Sequence, residues 1–139
     1  MTTDSNKLDI ASSFQPPIPL RNAHLMTLLP RYVPRDTSLF GLPQETRLFP
    51  VEPQTQLQGF CHWQGDRMAS PTAVLVHGLE GSSESRYMRG IAAKAYRAGF
   101  NVIRMNQRTC GGTEHLSPTL YNSGLSGDYR AILDELAHR

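Results

Sequence analysis

The run Thr72-Ala73-Val74-Leu75-Val76-His77 constrains this chain more than any other feature. It follows Pro71, carries no polar face, and gives way at once to Gly78-Leu79-Glu80-Gly81-Ser82-Ser83. A strand with apolar residues on both sides belongs in a sheet covered by helices on both faces. Beyond the glycine loop, Ser85 to Ala98 predicts a helix, with Ser85 as N-cap, Gly99 as the stop, and Tyr87, Ile91, Ala95 and Ala98 as the inward face. Phe100 to Met105 predicts a further strand. Strand, loop, helix and strand at this spacing make a βαβ unit.

The residues before this unit read differently. Eight of the ten prolines fall between Pro16 and Pro53, which predicts loops and short turns, because proline fixes φ and removes a backbone donor. Within that stretch, Asn22 to Leu29 is a short apolar segment, expected to make one or two helical turns ended by Pro30. Thr46–Val51 and Leu57–Trp63 alternate as strands do and are expected to pair as a hairpin across Glu52 to Gln56. After Met105 comes a long loop, Asn106 to Gly124. A last helix is expected from an N-cap at Ser126, with Tyr129, Ile132, Leu133 and Leu136 on its apolar face. The division expected is a proline-rich arm over residues 1–45 and the first part of an α/β domain over 46–139. Its sheet is mixed, mostly parallel, flanked by helices and incomplete.

The chemistry sits in His77-Gly78-Leu79-Glu80-Gly81. Glycines let a backbone approach a ligand closely, and loop amides can converge on negative charge. Acyl transfer needs such donors for the oxyanion of its tetrahedral intermediate, each contributing roughly 3–4 kcal/mol. The spacing Gly-x-x-Gly fits neither the dinucleotide fingerprint nor the P-loop. An ordinary strand-to-helix turn stays open as the plain alternative.

At this point the chain resembles the AB hydrolase 4, or YheT-like, branch of the α/β-hydrolases. The likeness rests on His77 to Ser83 with Ser85-x-Tyr87, on Asn22-x-His24-Leu25-x-Thr27, on Asn106-Gln107-Arg108-Thr109-Cys110-Gly111-Gly112, and on Leu120-Tyr121-x-x-Gly124-x-x-x-Asp128. It runs from about Phe14 to the end. Thr109 departs from it, standing where that branch usually has glycine. The resemblance implies a serine carboxylic-ester hydrolase acting on acyl or lipid esters. It makes the Leu79 backbone amide the oxyanion donor, with Gly78 and His77 supporting the loop. It also implies a Gly-x-Ser-x-Gly elbow on a fifth strand beside Thr72–His77, then an acid and a histidine. Ser123-Gly124-Leu125-Ser126-Gly127 is one residue short of that elbow and has no strand ahead of it. The nucleophile, acid and base are therefore expected outside this chain, the 139 residues alone are expected to be inactive, and Val74-Leu75-Val76 is expected to be an open edge that makes them poorly soluble.

His24 and Thr27 either line an entrance or pack the arm. Arg108 either pairs with a carboxylate or is solvated. Cys110 and His115 are too few for zinc, so no metal and no cofactor are expected. Cys61 and Cys110 form no CxxC pair and fit a reducing compartment, which suggests the cytoplasm. A net charge of +2, with no basic block, argues against nucleic acid. The polar start Met1–Ile10 does not look like a signal peptide. The partner expected is a small-molecule ester, with a membrane surface left open and no obligate protein partner evident. Two other functions remain: an inactive truncated remnant, or a non-catalytic anion-binding module.

Overall fold

A computed structural model describes residues 15–34 and 38–138; Met1–Ile10, Phe14 and Arg139, which entered the sequence reading, lie outside the described residues. Two compact units divide at Pro34. The first carries a 3-10 turn, Ile18–Arg21, and helix α1, Ala23–Tyr32. Asn22 caps α1, its side chain accepting from the amides of His24 and Leu25 at 3.0 and 3.3 Å. The helix does not stop at Pro30, as expected, but runs on to Tyr32. A proline in the last turn forfeits one amide hydrogen bond, and the turn still closes through the Val33 amide onto the Leu29 carbonyl at 3.1 Å.

The second unit is built on a four-stranded mixed sheet. Its strands are β1 (Glu45–Glu52), β2 (Thr55–His62), β3 (Thr72–Val76) and β4 (Asn101–Met105), in the order β1-β2-β4-β3. β1 and β2 form the expected hairpin, closed by a turn at Pro53-Gln54 that is tighter than the sequence suggested. Pro50 is tolerated because β1 is an edge strand with an irregularity between Pro50 and Glu52. β2 pairs antiparallel with β4, and β4 pairs parallel with β3. Helix α2 (Arg86–Arg97) connects the two parallel strands, and α3 (Ser126–Ala137) follows the long loop, which holds one 3-10 turn, Glu114–Leu116.

Apolar clusters lie on the two faces of the sheet. Phe49, Leu57, Cys61, Ile103 and Met105 meet Ile132 of α3, with Tyr129 and Leu136 against them. Val102 meets Leu39 and the α2 residues Ala92 and Ala93, with Leu75 and Tyr96 against them. Both clusters draw on β4, all five residues of which are buried. This is the apolar parallel strand the sequence assigned to Thr72–His77; β3 itself is only half-buried, since it is paired on one side.

The inward face of α2 differs from expectation at Tyr87, Ile91 and Ala98, and that of α3 at Leu133 alone. α2 buries Met88, Gly90, Ala92 and Ala93, while Tyr87 and Ile91 are exposed. Small side chains let a helix lie close to a sheet, and that close approach outweighs the size of Ile91. In α3, Ile132 is buried and Leu133 is exposed. Ser126 is the first helical residue and not the cap, which is Leu125, with no side-chain cap bond.

Candidate functional site: the loop after β3

His77 ends β3 buried, and its ring locks the start of the loop. Its Nε2 accepts the Gln107 amide at 3.2 Å, so Nδ1 carries the proton and donates to the Gly78 carbonyl at 2.8 Å. That carbonyl also accepts the Gly81 amide at 3.0 Å. In a trans peptide the N–H points opposite to the C=O. Holding the Gly78 oxygen inward therefore turns the Leu79 N–H outward. Gln107 adds a bond from its side-chain amide to the His77 carbonyl at 2.8 Å.

The neighbouring amides are occupied. The Gly78 amide donates to the Tyr87 hydroxyl at 2.7 Å and the Glu80 amide to the Tyr121 hydroxyl at 3.3 Å. The Ser82 amide donates to Ser85 Oγ at 2.9 Å, and the Ser83 amide to Asn106 Oδ1 at 2.8 Å. Among the described residues, the Leu79 amide alone in Gly78–Ser83 has no acceptor. Leu79 is 84% exposed and lines an open cavity of about 530 Å³ with Gln107, Tyr121, Asn122 and Ser123. A side chain at Gly81 would be crowded: a Cβ there would lie 3.0 Å from the Gly78 oxygen and 3.1 Å from the His77 ring.

Three polar groups that the sequence reading gave no role hold this loop against β4. Asn106 is buried, and its Nδ2 donates to Gln58 at 3.0 Å while its Oδ1 takes the Ser83 amide. Arg104 is fully buried; it donates to the Ser83 carbonyl at 2.8 Å, to Glu84 at 2.6 Å and to Gln44 at 2.7 Å. Tyr121 reaches in from the distant loop. A lone arginine inside Val102-Ile103-Arg104-Met105 was the available signal, since a charge in a buried strand must find partners.

Arg108 settles its two alternatives in favour of pairing. It is buried and binds Asp128 through two bonds of 2.7 and 2.5 Å, with Thr119 at 2.8 Å and Glu52 at 3.0 Å. The Asp128 hydrogen bonds first, and then Glu52, hold the guanidinium charge more firmly than usual. This ties the loop after β4 to the start of α3. In that loop Thr109 has φ 57°, so the backbone keeps a left-handed turn without glycine. His24 and Thr27 lie in α1 of the first unit, where Thr27 Oγ1 donates to the Ala23 carbonyl at 2.9 Å. Cys110 lies in the loop after β4, whereas His115 lines another cleft, with Glu52 and Gln54. Among the described residues no group of three metal-ligating side chains occurs, and no helix is long and apolar enough to cross a membrane.

A mixed sheet flanked by helices, with a glycine loop where a parallel strand meets its helix, is consistent with part of an α/β fold. The chain is similar to YheT of Escherichia coli, named as a candidate esterase, at 30% identity over 129 residues, which is 91% of this chain and 37% of that protein. It is similar to an abhydrolase domain-containing protein of Dictyostelium discoideum, 28% identical over 89% of this chain and 31% of that one. A monoacylglycerol lipase of Saccharomyces cerevisiae is 32% identical over 72 residues, 51% of this chain and 16% of the lipase. These relatives support assignment of the chain to the α/β-hydrolase family. The chain spans about a third of the length of the first two. No family model and no solved structure matches it.

Proposed function

We propose that this chain supplies the oxyanion loop of a serine carboxylic-ester hydrolase. The observation that carries this is the Leu79 amide, turned outward by the His77–Gly78 bond and left without an acceptor while its neighbours are paired. A fixed donor facing an open cavity suits an oxygen that gains charge only in the transition state. The substrates are acyl or lipid esters, a class that the name of the yeast relative favours. The serine, acid and histidine lie outside these residues, and the 139-residue chain alone does not turn over substrate. The setting is cytoplasmic lipid metabolism, at or near a lipid surface.

The test uses the protein carrying this chain at its natural length. It is expected to hydrolyse p-nitrophenyl butyrate. A fluorophosphonate is expected to block turnover and to label one serine, mapped by mass spectrometry, outside residues 1–139. Leu79→Pro, which deletes the donor, lowers kcat by about 10²–10³. A labelled serine inside the 139 residues, or full activity in Leu79→Pro, overturns the assignment. Absent turnover combined with binding of inorganic phosphate at the Leu79 amide points to an anion-binding module instead.

A further inference from the structure

Glu80 is held with φ 55°, a backbone region that L side chains avoid, and no other residue of the loop Gly78–Ser83 has a positive φ. A strained residue persists only where its surroundings hold it. The Gly81 amide closes the turn around Glu80 onto the Gly78 carbonyl, and Tyr121, 41 positions away in sequence, adds a second hold: its hydroxyl oxygen accepts the Glu80 amide. The same tyrosine lines the cavity beside Leu79. The Leu79 N–H is thus part of the first of two consecutive anchored peptides, Gly78–Leu79 and Leu79–Glu80. The Gly78 carbonyl is fixed by His77 and Gly81, and the Glu80 amide is fixed by Tyr121.

The geometry points to Tyr121 as a positioning residue: by accepting the Glu80 amide it holds the left-handed turn that presents the Leu79 N–H to the acyl oxygen of the substrate. The inference rests on the ester-hydrolase reading for its chemistry, but not for its structural half. Its hydroxyl oxygen does this, so the ring alone does not suffice. The segment carrying Tyr121 thereby sets the aim of the oxyanion donor, and movement of that segment disarms the loop.

Tyr121→Phe, Glu80→Gly and the double variant test this in the protein at its natural length, by amide hydrogen exchange and by ester kinetics. Tyr121→Phe is expected to speed exchange at the Glu80 amide about tenfold. It is also expected to lower kcat about tenfold with little change in KM, as for a contact made in the transition state. Glycine at position 80 needs no support for a positive φ, so the double variant recovers most of the lost kcat. Unchanged exchange in Tyr121→Phe overturns the inference. Fast exchange with unchanged kcat overturns it too, since the loop then holds its aim unaided, and so does failure of Glu80→Gly to restore kcat. If the natural-length protein shows no ester turnover, the ester-hydrolase reading fails. The exchange arm still decides whether Tyr121 holds the turn.

Discussion

Two residues of the loop after β4 carry opposite lessons about backbone. Thr109 sits at φ 57°, where a β-branched side chain crowds the following carbonyl at a cost of roughly 1–2 kcal/mol. Thr109→Gly is expected to raise stability by about 1 kcal/mol once the greater freedom of glycine in the unfolded chain is subtracted. A urea midpoint that stays put or falls, at constant slope, contradicts this. Gly111, at φ 69°, shows the converse: a Cβ would lie 2.6 Å from Asn106 Oδ1, the atom that accepts the Ser83 amide. The sequence pointed to a turn here. It could not show that threonine would keep the turn, because that depends on what the surrounding bonds impose. The Arg108 ion pair was undecidable for a related reason: a partner 20 positions away is a matter of fold and not of local pattern.

At the scale of elements, all four strands and the last two helices were legible, because period-two alternation, apolar runs and glycine stops are local signals. Gly99, at φ 90°, ends α2 where the sequence placed the stop. What was not legible was rotation. Ala92 and Ala93 face the sheet in place of Tyr87 and Ile91, since the fit of small residues against Val102 decides which stripe goes inward. Nor could the sequence show that Asn106 and Arg104 brace the glycine loop, because their partners come from other strands and turns. Among the described residues β3 has a strand on one side only, and it contains no proline or charge to discourage pairing. The 139-residue chain is therefore expected to self-associate at micromolar concentration. Val76→Lys, at a position 39% exposed, should shift it toward monomer while changing stability by no more than about 0.5 kcal/mol. Sedimentation velocity reads the association and a urea midpoint the stability, and a monomeric parent chain removes the edge as the cause.

For the whole molecule, burial of titratable groups sets a pH window. His62 lies in the α2 face of the sheet; burial first, then Arg104, hold its pKa below the ordinary 6.5. The unfolded chain then binds more protons than the folded one as pH falls below about 6.5, so stability present above that value is lost on acidification. Cys61 is pushed up to about 12 by burial and Tyr129 likewise to about 12, from 9.0 and 10.0. There the folded chain keeps protons that the unfolded chain releases, so stability falls as pH rises from 9 toward 12. The urea midpoint is expected to be highest between about pH 7 and 9, and Cys61→Ala should flatten the alkaline limb. A midpoint that climbs steadily to pH 10.5 contradicts both assignments.

The strand order β1-β2-β4-β3 also has a consequence in time. A ribosome releases β3 before β4, yet β4 is the strand that joins β3 to the rest of the sheet. The β1–β2 hairpin can close on its own, while β3 waits for the whole of α2 to be made, roughly one to five seconds at ordinary rates of synthesis. During that interval Val74 and Leu75 face the cell without the cover that either cluster later gives them. Birth, more than maturity, is when this chain most needs a chaperone.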